Sequence, residues 1–175
     1  MKDFRAILPD FELFLANKGL SFEAVIIGGA AMQLMGLTER VTKDCDVLSP
    51  KIPSDLKEAS KEFASQHGLS EEWLNNGPET LIRDLPSGWE QALTPLYEGK
   101  NLKLFTLGRL DFIRSKLFAF VDRGIDLQDL IKLKPTMAEI DELREWLSER
   151  DGNPDWPKYV EIRLNELIEE LYGNS

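Results

Sequence analysis

The chain has 175 residues, with 21 Lys and Arg against 31 Asp and Glu, a formal net charge of -10 and 42% hydrophobic residues, a balance that fits one domain, or one domain with an appendage. That acidic field repels polyphosphate backbones and so excludes broad, non-specific DNA binding, and no apolar run is long enough to span a bilayer. Cys45 is the one cysteine, which rules out an internal disulfide; with no charged segment leading into an apolar run at the N-terminus, it predicts a cytoplasmic protein.

Phe4, Ile7, Leu8, Phe11, Phe14 and Leu15 recur at spacings of three and four, which predicts an amphipathic helix over one face of a sheet despite Pro9. Ala24-Val25-Ile26-Ile27 is a short β-branched run ended by Gly28-Gly29, and residues 30 to 37 have helical composition. Cys45 to Leu48 reads as a second strand, stopped by Ser49-Pro50. Ser54 is placed to cap a helix over 55 to 66 that Gly68 closes.

Between Leu69 and Gly88 the signals are those of turns and irregular loop, notably Asn75-Asn76-Gly77-Pro78 and Pro86. Strand character returns over 91 to 97 and 102 to 107, joined by the turn Glu98-Gly99-Lys100-Asn101; Pro95 confines the first of these to a sheet edge. From Arg109 the periodicity is helical, with stripes at Leu110, Ile113, Leu117 and Phe120 and at Leu127, Leu130 and Ile131, until Pro135 breaks it. Thr136 with Glu139 three residues on predicts a capping box opening a helix to Glu149, and a last helix runs from Lys158 to Leu171 after Pro154 and Pro157. The expected architecture is α+β: a small mixed β-sheet flanked by helices, with residues 1–108 as the core and 109–175 as a helical C-terminal region packed on it.

The chemistry concentrates in the block from Val25 to Leu48. A glycine turn at the start of a helix lets phosphate approach the backbone, which a Cβ would obstruct. Asp44 and Asp46, two apart, would share a face of a strand, and paired hard oxygens suit Mg²⁺, with Mn²⁺ as a substitute. A metal that also binds triphosphate oxygens relieves their mutual repulsion and activates an attacking hydroxyl. Taken singly, Gly-Gly is most often a tight turn and Asp-x-Asp a solvated edge; in this order, each attached to a strand, they are far more specific. Arg40, Thr42 and Lys43, just ahead of the acids, are candidates for phosphate or base contact, or are simply solvated.

This block resembles the glycine-turn and Asp-x-Asp signature of the DNA polymerase β-like nucleotidyltransferases, in which the two acids bind the metals that carry the nucleotide. Residues 109 to 130, with Lys116 and then Arg123, Asp126, Asp129 and Leu130, resemble the helix-borne Lys and downstream Arg-x-x-Asp-x-x-Asp-Leu of the abortive-infection, AbiEii-type members, some of which are toxins of toxin–antitoxin pairs. The likeness runs over roughly residues 22 to 135.

The resemblance implies a nucleotidyltransferase fold and transfer of a nucleoside monophosphate from an NTP to a hydroxyl on RNA, protein or a small molecule, with an antitoxin as a further partner. Lys116 would then contact the triphosphate and Asp126 would join Asp44 and Asp46. The plain alternatives are a surface lysine and an Asp126 that caps the next helix. Superfamily members often carry a third carboxylate on a later strand, yet residues 102 to 107 contain no acid. Asp126, then Asp122 and Asp129, are the substitutes, and a non-catalytic nucleotide-binding or protein-interaction module is the competing reading. His67 has no Cys or His companion at metal-ligand spacing, Cys45 alternates away from the acids toward the core, and the four tryptophans read as packing residues.

Overall fold

The structure is a computed structural model and describes residues 3–77 and 79–173. Pro78, which closes the Asn75-Asn76-Gly77-Pro78 turn signal, lies outside the described residues. The chain divides into two compact units, Met1–Arg109 and Leu110–Ser175. Among the described residues no helix is long and apolar enough to cross a membrane.

The first unit is built on a mixed sheet of five strands among the described residues: β1 (Phe22–Ile27), β2 (Cys45–Ser49), β3 (Leu74–Asn75), β4 (Thr94–Glu98) and β5 (Leu102–Thr106), in the order β3-β2-β1-β5-β4. β1 lies at the centre, antiparallel to β2 and parallel to β5, and only Glu23 interrupts its buried run. A strand buried on both faces reads as continuous apolar sequence, and this one does. β4 takes the edge, as Pro95 requires, since a residue without an N–H cannot serve two neighbours. It begins at Thr94 rather than Gln91, because Trp89–Ala92 turns as a short 3-10 helix. β3 went unforeseen: two residues are too few for any periodicity to mark.

Helices α1 (Phe4–Asn17) and α3 (Ser54–His67) share an aromatic cluster within this unit. Phe11 lies 4.9 Å from the Phe63 ring and 5.0 Å, edge-on, from Trp73. Trp73 is only 1% exposed and donates its indole N–H to the Ser60 carbonyl at 3.0 Å, so its polar end is satisfied inside the core. Gly68 ends α3 in the left-handed conformation, as its position implied. Ser54 does not cap α3: Pro53 holds that position with no side-chain bond, and Ser54 is the first helical residue. Helix α2 spans Gly28–Leu34, starting at the glycine pair itself and stopping short of Leu37.

Glu12, on α1, ties down the β4–β5 hairpin. Its carboxylate accepts from the Tyr97 hydroxyl at 2.5 Å and from the Lys100 and Asn101 N–H groups of the turn. A side chain at Gly99 would collide with that carboxylate.

The second unit holds α4 (Arg109–Arg123) from Leu110 onward, α5 (Leu127–Leu133), α6 (Met137–Ser148) and α7 (Trp156–Tyr172). α6 opens with the predicted capping box: Thr136 Oγ1 accepts from the Glu139 N–H, and the Glu139 carboxylate accepts from the Thr136 N–H. α7 begins before Pro157, which sits in the first turn where a missing N–H leaves no bond unmade. Val160, Leu164 and Leu167 bury its apolar stripe, and the Trp156 indole donates to the Leu147 carbonyl of α6 at 2.8 Å.

Truncating Trp73→Ala removes the largest side chain of the aromatic cluster and is expected to cost about 3–5 kcal/mol, read as a lower urea midpoint by circular dichroism. The Tyr97 hydroxyl bond to Glu12, joined against burial by the Asn101 and Lys100 N–H groups, holds the Glu12 carboxyl below its ordinary pKa of 4.5. A carboxyl lowered on folding stabilises above its unfolded pKa and loses that contribution as pH falls through the folded one. Stability should therefore decline with falling pH below about 4.5, and Glu12→Gln should flatten that decline in acid-titrated thermal melts.

Candidate active site

At the end of β1 the chain turns into α2 through Gly28, whose φ of +76° lies in the left-handed region that favours glycine. A Cβ there would stand 2.8 Å from Asp46 Oδ2, a separation that real side chains do not tolerate. At Gly29 a Cβ would meet Thr42 Cβ and Oγ1, each at 3.1 Å. Thr42 Oγ1 in turn donates to Asp44 Oδ1 at 2.9 Å. Asp46 is held in place from behind by the sheet, as the register partner of Ile27. The glycine pair and the acidic pair thus form one interlocked group: Gly28 makes room for the Asp46 carboxylate, and Gly29 for the threonine that orients Asp44.

Asp46 lies in β2, whereas Asp44 is just ahead of the strand and exposed. The pleat therefore does not set Asp44's direction; Thr42 does. Arg40 and Lys43 are exposed, with the Arg40 N–H donating to Thr38 Oγ1 at 3.1 Å. Cys45 is buried, and burial, reinforced by the charges of Asp46 and Asp44, pushes its thiol pKa up. A thiol so disfavoured as thiolate is no nucleophile.

The far side of Asp46 comes from the segment between Leu69 and Gly88, whose turn signals predict irregular loop. Asn75 of β3 is the register partner of Asp46. Its Oδ1 accepts from the Gly77 N–H at 2.7 Å, and a Cβ on Gly77 would stand 3.8 Å from Asp46 Oδ1. One carboxylate oxygen of Asp46 therefore faces Gly28 and the other faces Gly77. The Asn-Asn-Gly run was visible as a turn signal, but nothing in it named a sheet neighbour.

No three His, Cys, Asp or Glu side chains group as a metal cage among the described residues. Two carboxylates still fit Mg²⁺, which is commonly held by one or two carboxylates with substrate phosphates and waters completing its octahedron. β5 offers no acid: Phe105 pairs with Val25 in the central strand, and Leu107, beyond the strand end, is buried.

The second unit brings together the remaining candidates. Lys116, on α4, is 5% exposed, so it is not a surface lysine. Its Nζ lies 2.7 Å from Asp129 Oδ2 and 3.2 Å from Asp126 Oδ2. Asp126 occupies the N-cap position of α5 with φ +71° but makes no capping bond, so the plain capping role is not the one it plays. Its carboxylate serves Lys116 instead. Asp129 is buried, while Asp122 is exposed beside Arg123. A buried cation held between two carboxylates satisfies the requirement that internal charges be paired.

Residues 2–149 match the model of a protein family described as nucleotidyltransferase of unknown function (DUF6036). No curated protein and no solved structure matches the chain.

Replacing Gly28 with Ala forces a Cβ into the left-handed region and against Asp46, and is expected to cost about 1–2 kcal/mol in stability. Gly29→Ala, where Thr42 has only to shift by tenths of an ångström, should cost less. Thermal melts of the two variants side by side check the order; equal losses would contradict the Gly28–Asp46 interlock.

Proposed function

The chain belongs to the DUF6036 family of nucleotidyltransferases of unknown function, and from that premise we propose that it transfers a nucleoside monophosphate from an NTP to a hydroxyl acceptor at the Asp44–Asp46 pair. The observation that carries this reading is the interlock of Gly28 with Asp46 and of Gly29 with the Thr42–Asp44 hydrogen bond. It fixes two carboxylates beside a glycine turn.

Asp44 and Asp46 hold Mg²⁺, or Mn²⁺ in its place, and the metal supplies charge neutralisation of the triphosphate. Gly28 and Gly29 keep the turn free of side chains next to the acids. Arg40 and Lys43, exposed on the segment leading into β2, are available to triphosphate oxygens, while Thr42 orients Asp44. The acceptor hydroxyl oxygen forms the new bond to the α-phosphorus. The bridging P–O bond to the β-phosphate breaks, and its electron pair leaves with pyrophosphate. The hydroxyl proton passes to a carboxylate oxygen of Asp46 and on to water. Within the second unit Lys116 is held by Asp126 and Asp129, and its role as a triphosphate contact rests on the resemblance of that segment.

The finer affiliation is AbiEii-type, on the Lys116 and Arg123-x-x-Asp126-x-x-Asp129-Leu130 pattern, with a toxin–antitoxin role and a cytoplasmic setting in which Cys45 stays reduced. A second reading draws on β5, which has no acid along Leu102–Thr106. With no third carboxylate the domain would bind nucleotide without turning it over.

Calorimetric titration of each NTP with and without Mg²⁺ tests the site. Binding to wild type should require Mg²⁺ and be lost in Asp44→Asn/Asp46→Asn, while melting temperature stays close to wild type. Under turnover, Asp46→Asn should lower pyrophosphate release on the order of 10²-fold or more, matching the several kcal/mol that metal charge stabilisation is worth. Release unchanged in Asp46→Asn rejects the enzyme; nucleotide binding that ignores Mg²⁺ and yields no pyrophosphate establishes the binding module.

A further inference from the structure

Next to β3, a cavity of about 290 Å³ opens within the first unit. We propose that it is the acceptor subsite and that it takes a phosphate group carried beside the attacked hydroxyl, a proposal that rests on the nucleotidyl-transfer reading above. The connection to the acids is Asn75, which lines the cavity and is also the register partner of Asp46. Neighbouring strands run about 4.8 Å apart, so Asn75 joins the cavity to the acidic pair across one strand spacing.

The cavity departs from the charge of the rest of the chain. Lys51 and Lys57 are exposed on its rim and have no ion-pair partner among the described residues. Among the described residues the cavity's one lining acid is Glu72, and Lys61 Nζ lies 3.9 Å from that carboxylate and 3.8 Å from Glu71. In a protein of net charge -10, two lysines around a small cavity are a local reversal, and such a reversal attracts an anion. A polycationic acceptor such as an aminoglycoside would meet repulsion here.

The walls are fixed and their polar groups already used. Asn76 Oδ1 accepts from the Ile52 N–H at 2.8 Å, and its Nδ2 donates to the Val47 and Pro50 carbonyls, each at 3.1 Å. Ile52 and Leu74 are buried and give an apolar floor. That leaves the lysine ammonium groups to recognise the ligand, each a compact charge suited to phosphate oxygens. The volume is near the lower limit for small-molecule sites, which matches one sugar-phosphate unit.

The test compares wild type, Lys51→Glu/Lys57→Glu and the milder Lys51→Gln/Lys57→Gln. Lys103→Glu, on the exposed face of β5 and paired with Glu23, is the control for charge alone. Probes are a fluorescein-labelled single-stranded RNA of roughly 12 nucleotides, followed by anisotropy, and ribose 5-phosphate, followed by calorimetry. The glutamate pair should weaken binding by about tenfold or more, with the glutamine pair between it and wild type. For RNA it should reduce the logarithmic salt slope by about 1.4, or 0.7 for each lost phosphate contact. Binding of Mg²⁺·ATP should stay unchanged.

Lysine-dependent binding of RNA alone assigns the phosphate to a polymer end; binding of ribose 5-phosphate as well assigns it to a single sugar phosphate, and both support the subsite. The proposal is overturned if neither probe binds wild type, if Lys103→Glu weakens binding as much as the pair, or if kanamycin binds in place of the anions. Lost lysine dependence with ATP binding intact overturns the cavity alone. Absent ATP binding overturns the transfer reading, and the acceptor role with it.

Discussion

Everything at the candidate site depends on the absence of a Cβ at Gly28. A Cβ there would stand 2.8 Å from Asp46 Oδ2, so a side chain at this turn would have to displace the carboxylate on the neighbouring strand as well as adopt a left-handed backbone. The antiparallel pairing of β1 with β2 supplies the register, and the left-handed conformation of Gly28 supplies the direction in which α2 leaves the sheet. Glycine here is read most simply as room for a carboxylate. Room for a phosphate, the first meaning a strand–glycine–helix pattern suggests, has to be shared with it.

The two acidic groups of the protein are treated differently, and the difference bears on what they can do. Asp126 and Asp129 share Lys116, whose one positive charge offsets half of theirs inside the fold. Asp44 receives a neutral hydroxyl from Thr42, which orients the carboxylate and leaves its negative charge in place. A carboxylate oriented in this way and exposed to solvent remains available to a divalent cation. A salt-bridged one must first give up a partner, and separating a buried pair is costly. Cys45 records the field of the acidic pair: confined to the core side of the same strand, it is pushed further from ionisation by both carboxylates.

Much of this architecture was legible in the residues because each signal had a local cause. The edge position of β4 followed from one proline, the closure of α3 from one glycine, and the start of α6 from one Thr–Glu pair. The mixed sheet flanked by helices followed from the alternation of short apolar runs with helical stripes. Features that escaped were those set by tertiary neighbours. β3 exists because β2 offers it an edge, and Asn75 gains its place beside Asp46 only through that pairing. Ser54 had the composition of a cap, but Pro53 took the position, and the hydroxyl was left one residue inside the helix. Glu12 reads in sequence as one more polar residue on a helix; its role in holding the hairpin turn is visible only once Tyr97 and Asn101 stand beside it.

The sheet also constrains how a reaction at Asp46 could run. Residues paired across strands share a face: Asp46 pairs with Ile27 of β1, and Val25, on the same face of β1, pairs with Phe105 of β5. That side is apolar, and β5 carries no acid to complete a metal's coordination. The acids therefore have apolar residues toward β5, and toward β3 the row of Asp46 ends with Asn75 at the sheet edge. Because β5 carries no acid, the negative charge beside the glycine turn rests on Asp44 and Asp46, and Asn75, paired with Asp46, is the residue that links this pair to the cavity beside β3.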